Sequence, residues 1–206
     1  MIVRRLLIAS IILLGTFAML ALYYPGMRPQ ATPSGDTGGT VAIGGPFTLT
    51  DGKGNSFTEA DLLGGYHLLF FGFTHCPDIC PLTLQVMTEG IEQAGPAGAR
   101  VTPVFISLDP ERDTLEAVGA YVGAFHPRFV GLTGTLDQVA AAAKAFRVFY
   151  RKAPMKDAEG KETGEYTVEH SGLIFLMDRE GKYLTHFSTG VTGKDIADYI
   201  RREVAK

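Results

Sequence analysis

No charged residue interrupts the nineteen positions from Leu6 to Tyr24. At about 1.5 Å per residue, a helix of that length spans roughly the hydrocarbon core of a bilayer. Arg4 and Arg5 precede the run, and the positive flank of a membrane helix stays in the cytoplasm. The pattern predicts a transmembrane anchor over residues 1–24, N-terminus in, at a bacterial cytoplasmic membrane, with the rest of the chain facing the periplasm or extracytoplasmic space. The rival is a cleaved signal peptide, whose apolar core is shorter and ends in a small-x-small site; Met19-Leu20-Ala21 fits that poorly. Residues 25–45 are rich in Gly, Pro, Ser and Thr; such a stretch cannot bury a core and reads as a flexible linker. From Pro46 onward the pattern is that of a folded domain, 46–206.

Pro46 to Thr50 alternates apolar and polar residues, and with Ser56 to Thr58 it predicts a short hairpin around a Gly-containing turn. Thr58-Glu59-Ala60-Asp61 resembles a capping sequence. His67 to Phe73 is almost wholly apolar, as a strand covered on both faces must be. A helix is predicted downstream, with Pro81 at its first position and Leu82, Val86 and Ile91 along one side, ending at Gly95-Pro96. Val101 to Leu108 reads as a second buried strand. Asp109-Pro110-Glu111-Arg112-Asp113-Thr114 reads as a polar turn whose Asp113, with Glu116, caps a helix running to about Phe125. Val130 to Thr133 predicts a strand, Thr135 to Phe146 an alanine-rich helix, and Phe149 to Met155 an extended segment. Lys156 to Glu165 reads as an exposed loop or hairpin. Gly172 to Asp178 and Tyr183 to Ser188 predict paired strands, and Gly193 to Val204 an amphipathic helix. Strands alternating with helices, then a hairpin and a last helix, make an α/β sandwich.

Charge narrows the function. Lys and Arg total 19 against 22 Asp and Glu; residues 31–206 hold 16 basic and 22 acidic side chains, a balance of −6. An acidic domain without a basic cluster is a poor nucleic-acid binder.

The chemistry sits in Cys76-Pro77-Asp78-Ile79-Cys80-Pro81, which holds both cysteines of the chain. A dithiol turn between a central strand and a helix is thioredoxin-like, and a helix N-terminus favours thiolate over thiol. A structural disulfide explains little, because so small a loop removes little chain entropy. A thioredoxin-type redox pair has two intervening residues; here there are three, which leaves room for both sulfurs to face one metal ion while still permitting a disulfide. A peroxidase of the peroxiredoxin type would want Thr where Phe73 stands. Two thiolates leave a metal under-coordinated, and the chain offers His67, His75, His126, His170 and His186. His170 lies where a polar loop meets a strong strand, the place from which thioredoxin-like folds send a loop over the dithiol, so spacing ranks it first without settling the matter.

Cys76-Pro77-Asp78-Ile79-Cys80-Pro81, Asp109 to Thr114 and Tyr166-Thr167-Val168-Glu169-His170-Ser171 stand in the order seen in the Sco/SenC family, which the chain resembles over about residues 41–205. That resemblance implies a membrane-tethered, thioredoxin-like copper protein of cytochrome c oxidase assembly. Its metal ligands would be Cys76, Cys80 and His170, a soft donor set suited to Cu(I), with Cu(II) also possible. The implied partners are the copper site of oxidase subunit II and an upstream periplasmic copper donor. Glu169 departs from the usual Asp of the family and keeps the charge. Asp78 and Asp109 are expected near the metal, as turn residue and helix cap at the least, without assignment as ligands. The alternative function is thiol–disulfide reduction of the recipient's cysteines through Cys76 and Cys80 alone.

Overall fold

The computed structural model describes residues 42–188 and 190–204. The predicted anchor and most of the linker lie outside them, and among the described residues no helix is long and apolar enough to cross a membrane. Packing starts just before Pro46: Ile43 lies against the core, and the Gly44 N–H donates to the Ala145 carbonyl at 2.9 Å.

The central sheet has seven strands: β1 (Thr48–Asp51), β2 (Ser56–Thr58), β3 (Tyr66–Gly72), β4 (Val101–Ser107), β5 (Val130–Thr133), β8 (Leu173–Met177) and β9 (Tyr183–Ser188), in the order β2-β1-β5-β4-β3-β8-β9. The β3–β4–β5 core is parallel and the flanking pairs are antiparallel. Among the described residues four helices flank it: α1 (Ile79–Gln93), α2 (Leu115–Gly123), α3 (Leu136–Ala145) and α4 (Gly193–Glu203). The remaining strands, β6 (Tyr150–Lys156) and β7 (Glu162–His170), form a separate two-stranded ribbon.

Strand β3 organises the core because it is buried along nearly its whole length. Its side chains alternate between faces. Phe71 meets Phe146 at 5.4 Å and Phe175 at 6.2 Å on one face; Phe70 meets Phe105 at 6.4 Å and His170 at 5.9 Å on the other. The predicted strands and helices of the domain all occur; the capping sequence at Thr58 forms a capping box, and the structure adds a second at Thr135.

Three local readings are corrected. Helix α1 starts at Ile79, so Pro81 is its third residue rather than its first; the first four helical N–H groups have no partner within the helix, so a proline there forfeits no bond. The buried face of α1 is Cys80, Thr83, Leu84, Met87, Gly90 and Ile91, while Leu82 is exposed. Thr114, not Asp113, caps α2, its hydroxyl accepting from Ala117 N–H. Of the loop or hairpin expected over 156–165, the structure has the hairpin, with β6 reaching Lys156 and β7 starting at Glu162.

Candidate metal centre

After Gly72 the chain leaves the sheet and turns, the Cys76 N–H donating to the Phe73 carbonyl at 3.3 Å. Asp78 occupies the N-cap position of α1 but its side chain makes no capping bond. The Cys76 sulfur fills that role, accepting from the Cys80 N–H at 3.4 Å. It therefore stands at the positive end of a helix among otherwise unsatisfied donors. The Cys76 thiol is lowered to about 5, first by a hydrogen bond from the Cys80 thiol, against the opposing effect of burial, and then by the N–H groups of Cys80, Asp78 and Ile79. Cys80 moves the other way, its thiol pushed up by that same bond to Cys76 and by burial. Cys76 is partly exposed and Cys80 fully buried. The turn thus pairs a partly exposed sulfur that favours the thiolate with a buried one that favours the thiol.

Gly72 makes this seating possible. A Cβ at residue 72 would lie 2.9 Å from the Cys80 sulfur, 2.9 Å from Phe105 and 3.0 Å from Phe70. Only a residue without a side chain lets the sulfur rest against the strand.

His170 is the last residue of β7, and its Nε2 lies 3.7 Å from the Cys80 sulfur. Nδ1 lies 3.1 Å from the Ser171 carbonyl. A carbonyl only accepts, so Nδ1 carries the proton and Nε2 presents its lone pair to the dithiol, the arrangement in which a second-shell acceptor fixes a ligand tautomer. Phe70 and Phe73 stand edge-on to the ring at 5.9 and 6.1 Å.

One segment holds both halves of the site. The buried Asp113 accepts from the Thr74 N–H at 3.0 Å, the Thr74 hydroxyl at 2.6 Å and the Ser107 hydroxyl at 2.6 Å, pinning the turn that leads into Cys76. The equally buried Asp109 binds Arg112 and accepts from the Tyr166 hydroxyl at 2.8 Å, which ties down the ribbon bearing His170. Asp109 is therefore a structural anchor, not a helix cap, and Asp78 is exposed on the turn. The crowding of charge in Asp109-Pro110-Glu111-Arg112-Asp113 directly after a buried strand was the signal in the sequence; the bracing roles of Asp113, Arg112, Tyr166 and Gly72 were not read from it.

The other histidines lie elsewhere. His67 is buried in β3, His126 accepts from the Arg128 N–H, and His186 pairs with the Tyr183 hydroxyl. His75 faces Asp113, Nδ1 to Oδ1 at 3.5 Å.

The donors brought together suit a soft metal ion. A thiolate at about 2.3 Å and an imidazole nitrogen at about 2.0 Å from one d¹⁰ ion, at the tetrahedral angle, lie about 3.5 Å from each other. The Cys80–His170 separation of 3.7 Å is close to that spacing. Among the described residues no three His, Cys, Asp or Glu side chains stand preassembled as a cage. Cys76 and His170 each approach Cys80, and closing on an ion requires Cys80 to release its proton.

Fold and site together define a thioredoxin-like domain whose dithiol turn is faced by an imidazole with a free Nε2. The comparisons narrow the class. The SCO1/SenC family model matches residues 35–205. An SCO2-like protein of Rickettsia conorii is 37% identical over 204 residues, covering 98% of this chain and 97% of that one. The mitochondrial SCO1 homolog 1 of Arabidopsis thaliana is 36% identical over 204 residues, covering 94% of this chain, which spans 59% of that longer protein. The crystal structure of Arabidopsis thaliana ScoI with copper bound superposes with a TM-score of 0.73 at 39% identity, covering 80% of this chain and 99% of that one. The chain belongs to the SCO1/SenC family.

Proposed function

We propose that this protein is a copper chaperone that holds its cargo through Cys76, Cys80 and His170 and delivers it during assembly of cytochrome c oxidase, the recipient being the dinuclear copper site of subunit II. The single observation that carries the reading is the approach of His170 Nε2 to the Cys80 sulfur at 3.7 Å, with Nδ1 committed to the Ser171 carbonyl. A dithiol reductase has no use for an imidazole locked in that tautomer, whereas a Cys₂His site for Cu(I) requires it. A three-ligand site with one partly exposed thiolate accepts an incoming ligand, so delivery proceeds by exchange with the recipient's own donors. A membrane anchor over residues 1–24 raises the effective concentration of the domain near a membrane-bound recipient.

A second reading is favoured by the asymmetry of the two thiols. Cys76 has the properties of an attacking thiolate and Cys80 those of a resolving thiol. In that scheme the Cys76 thiolate attacks a disulfide of the recipient and releases one thiolate. Cys80, losing its proton, then attacks the mixed disulfide, leaving a reduced recipient and a Cys76–Cys80 disulfide. The two activities are compatible, because copper loading needs reduced thiols.

The deciding experiment titrates Cu(I) into the fully reduced protein without oxygen, against a competing chelator, for the native chain and His170→Ala. One-to-one binding that weakens at least about tenfold in the variant, the least that losing even an outer-shell partner of a ligand costs, supports the chaperone. Binding indifferent to His170 rejects the three-ligand site and leaves the reductase.

A further inference from the structure

The ribbon that carries His170 has no partner strand among the described residues other than its own two, and an isolated two-stranded ribbon is marginal in water. Its alternate residues Tyr166, Val168 and His170 share one face. Val168 is buried in the core, and His170 sits against Phe70 and Phe73. Their neighbour Glu169 is exposed and pairs with Arg151 across the ribbon.

Tyr166 is held at several points. The Arg112 guanidinium lies 3.8 Å from the ring centroid, and Arg112 Nη1 donates to the Tyr166 carbonyl at 3.0 Å. The Tyr166 hydroxyl donates to Asp109, which also binds Arg112. The Lys152 ammonium lies 4.4 Å from the ring and pairs with Glu111. Asp109, Glu111 and Arg112 belong to the segment whose Asp113 fixes the turn before Cys76, so the grip on the ribbon and the seat of the dithiol share one support.

We propose that Tyr166, gripped by Arg112 and Asp109, is the positioning residue for His170, and that this grip sets how readily the imidazole leaves its place at the dithiol. Tyr166 touches neither sulfur; it acts through the ribbon. The contact needs a planar guanidinium that can stack on the ring and bond the carbonyl at once, so lysine at 112 cannot replace it. The proposal rests on His170 being a ligand, and the experiment separates the two.

Amide hydrogen exchange is followed on the metal-free full chain, and Cu(I) release to excess chelator on the loaded chain. The variants are Tyr166→Ala, Tyr166→Phe, Arg112→Lys, His170→Ala and the double variant Tyr166→Ala/His170→Ala. Loss of a cation–π contact and a charge-assisted hydrogen bond should speed exchange of the ribbon amides in Tyr166→Ala by at least about tenfold. Amides of β3, β4 and β8 should keep their protection. Copper release should accelerate by a similar factor, and the double variant should release no faster than His170→Ala alone. Tyr166→Phe, which keeps the ring and loses the Asp109 bond, should fall in between. With Arg112→Lys it keeps the test open if the alanine variant fails to fold. Unchanged ribbon exchange in Tyr166→Ala overturns the proposal, as does an acceleration of release that persists undiminished without His170. If His170→Ala alone releases copper at the native rate, the ligand assignment fails, and the amide data then judge the grip by themselves.

Discussion

Replacing Gly72 with alanine tests whether the seat of the Cys80 sulfur is as tight as described. The added Cβ would approach the sulfur and Phe105 to 2.9 Å and Phe70 to 3.0 Å, whereas carbon contacts are optimal at about 3.5–4.0 Å. The shortfall is roughly 0.5–1 Å against three atoms at once. Phe70, Phe105 and Cys80 are fully buried, so none can swing into solvent. Overpacking of this kind costs about 1–3 kcal/mol, and a mid-range 2 kcal/mol lowers Tm by about 4–8 °C in a domain of this size. Urea or thermal unfolding of the reduced, metal-free protein reads the stability, and Cu(I) competition reads the displaced sulfur. Gly123→Ala is the matched control: a Cβ there meets nothing within 4 Å, on an exposed helical position, so the same change should be neutral or slightly stabilising. If both variants unfold at the native midpoint and bind copper equally well, the close seating of Cys80 on the strand is wrong.

Three other outcomes follow from the site. Alkylation of Cys76 in the reduced, metal-free protein requires thiolate, so its rate should hold from neutral pH down and fall off only as the pH drops through about 5; Cys80 should resist modification throughout, and a Cys76 rate that rises only above pH 8 refutes the assignment. Asp113→Asn turns one of the two carboxylate oxygens that together accept three hydrogen bonds into an amide donor facing other donors and should cost about 1–3 kcal/mol; the urea midpoint should fall together with copper affinity, and a drop in neither contradicts the bracing role. Stripping copper from the loaded protein should lower Tm, because a ligand present at 100 times its Kd stabilises by about 2.7 kcal/mol; equal melting of the loaded and stripped forms argues against binding to the folded state.

How much of this was legible in the sequence depended on how local each signal is. The run from His67 to Phe73 and the cysteine turn declare themselves, because burial on both faces and a dithiol at a helix start leave local marks. Pro81 is tolerated anywhere in the first turn, so it does not by itself place the start of α1, and the facing of Leu82 shifts with that start. Asp113 looked like a cap because a short polar residue ahead of a helix usually is one. Nothing nearby reveals that its partner Thr74 is 39 residues away. The charged tip of the ribbon carries no apolar alternation, so the sequence leaves loop and hairpin open there and the backbone pairing decides for the hairpin. His170 could be ranked from its position, but its tautomer depends on a carbonyl that only the fold places beside it.

The unequal burial of the two sulfurs would give traffic through the proposed site a direction. Cys80 lies buried against the bare backbone of Gly72, with Phe70 and Phe105 close by, whereas Cys76 is partly exposed. If the protein passes copper on as proposed, an incoming donor would meet the ion beside Cys76, and the buried sulfur would be the last attachment, a tether that holds the cargo until the recipient has secured it.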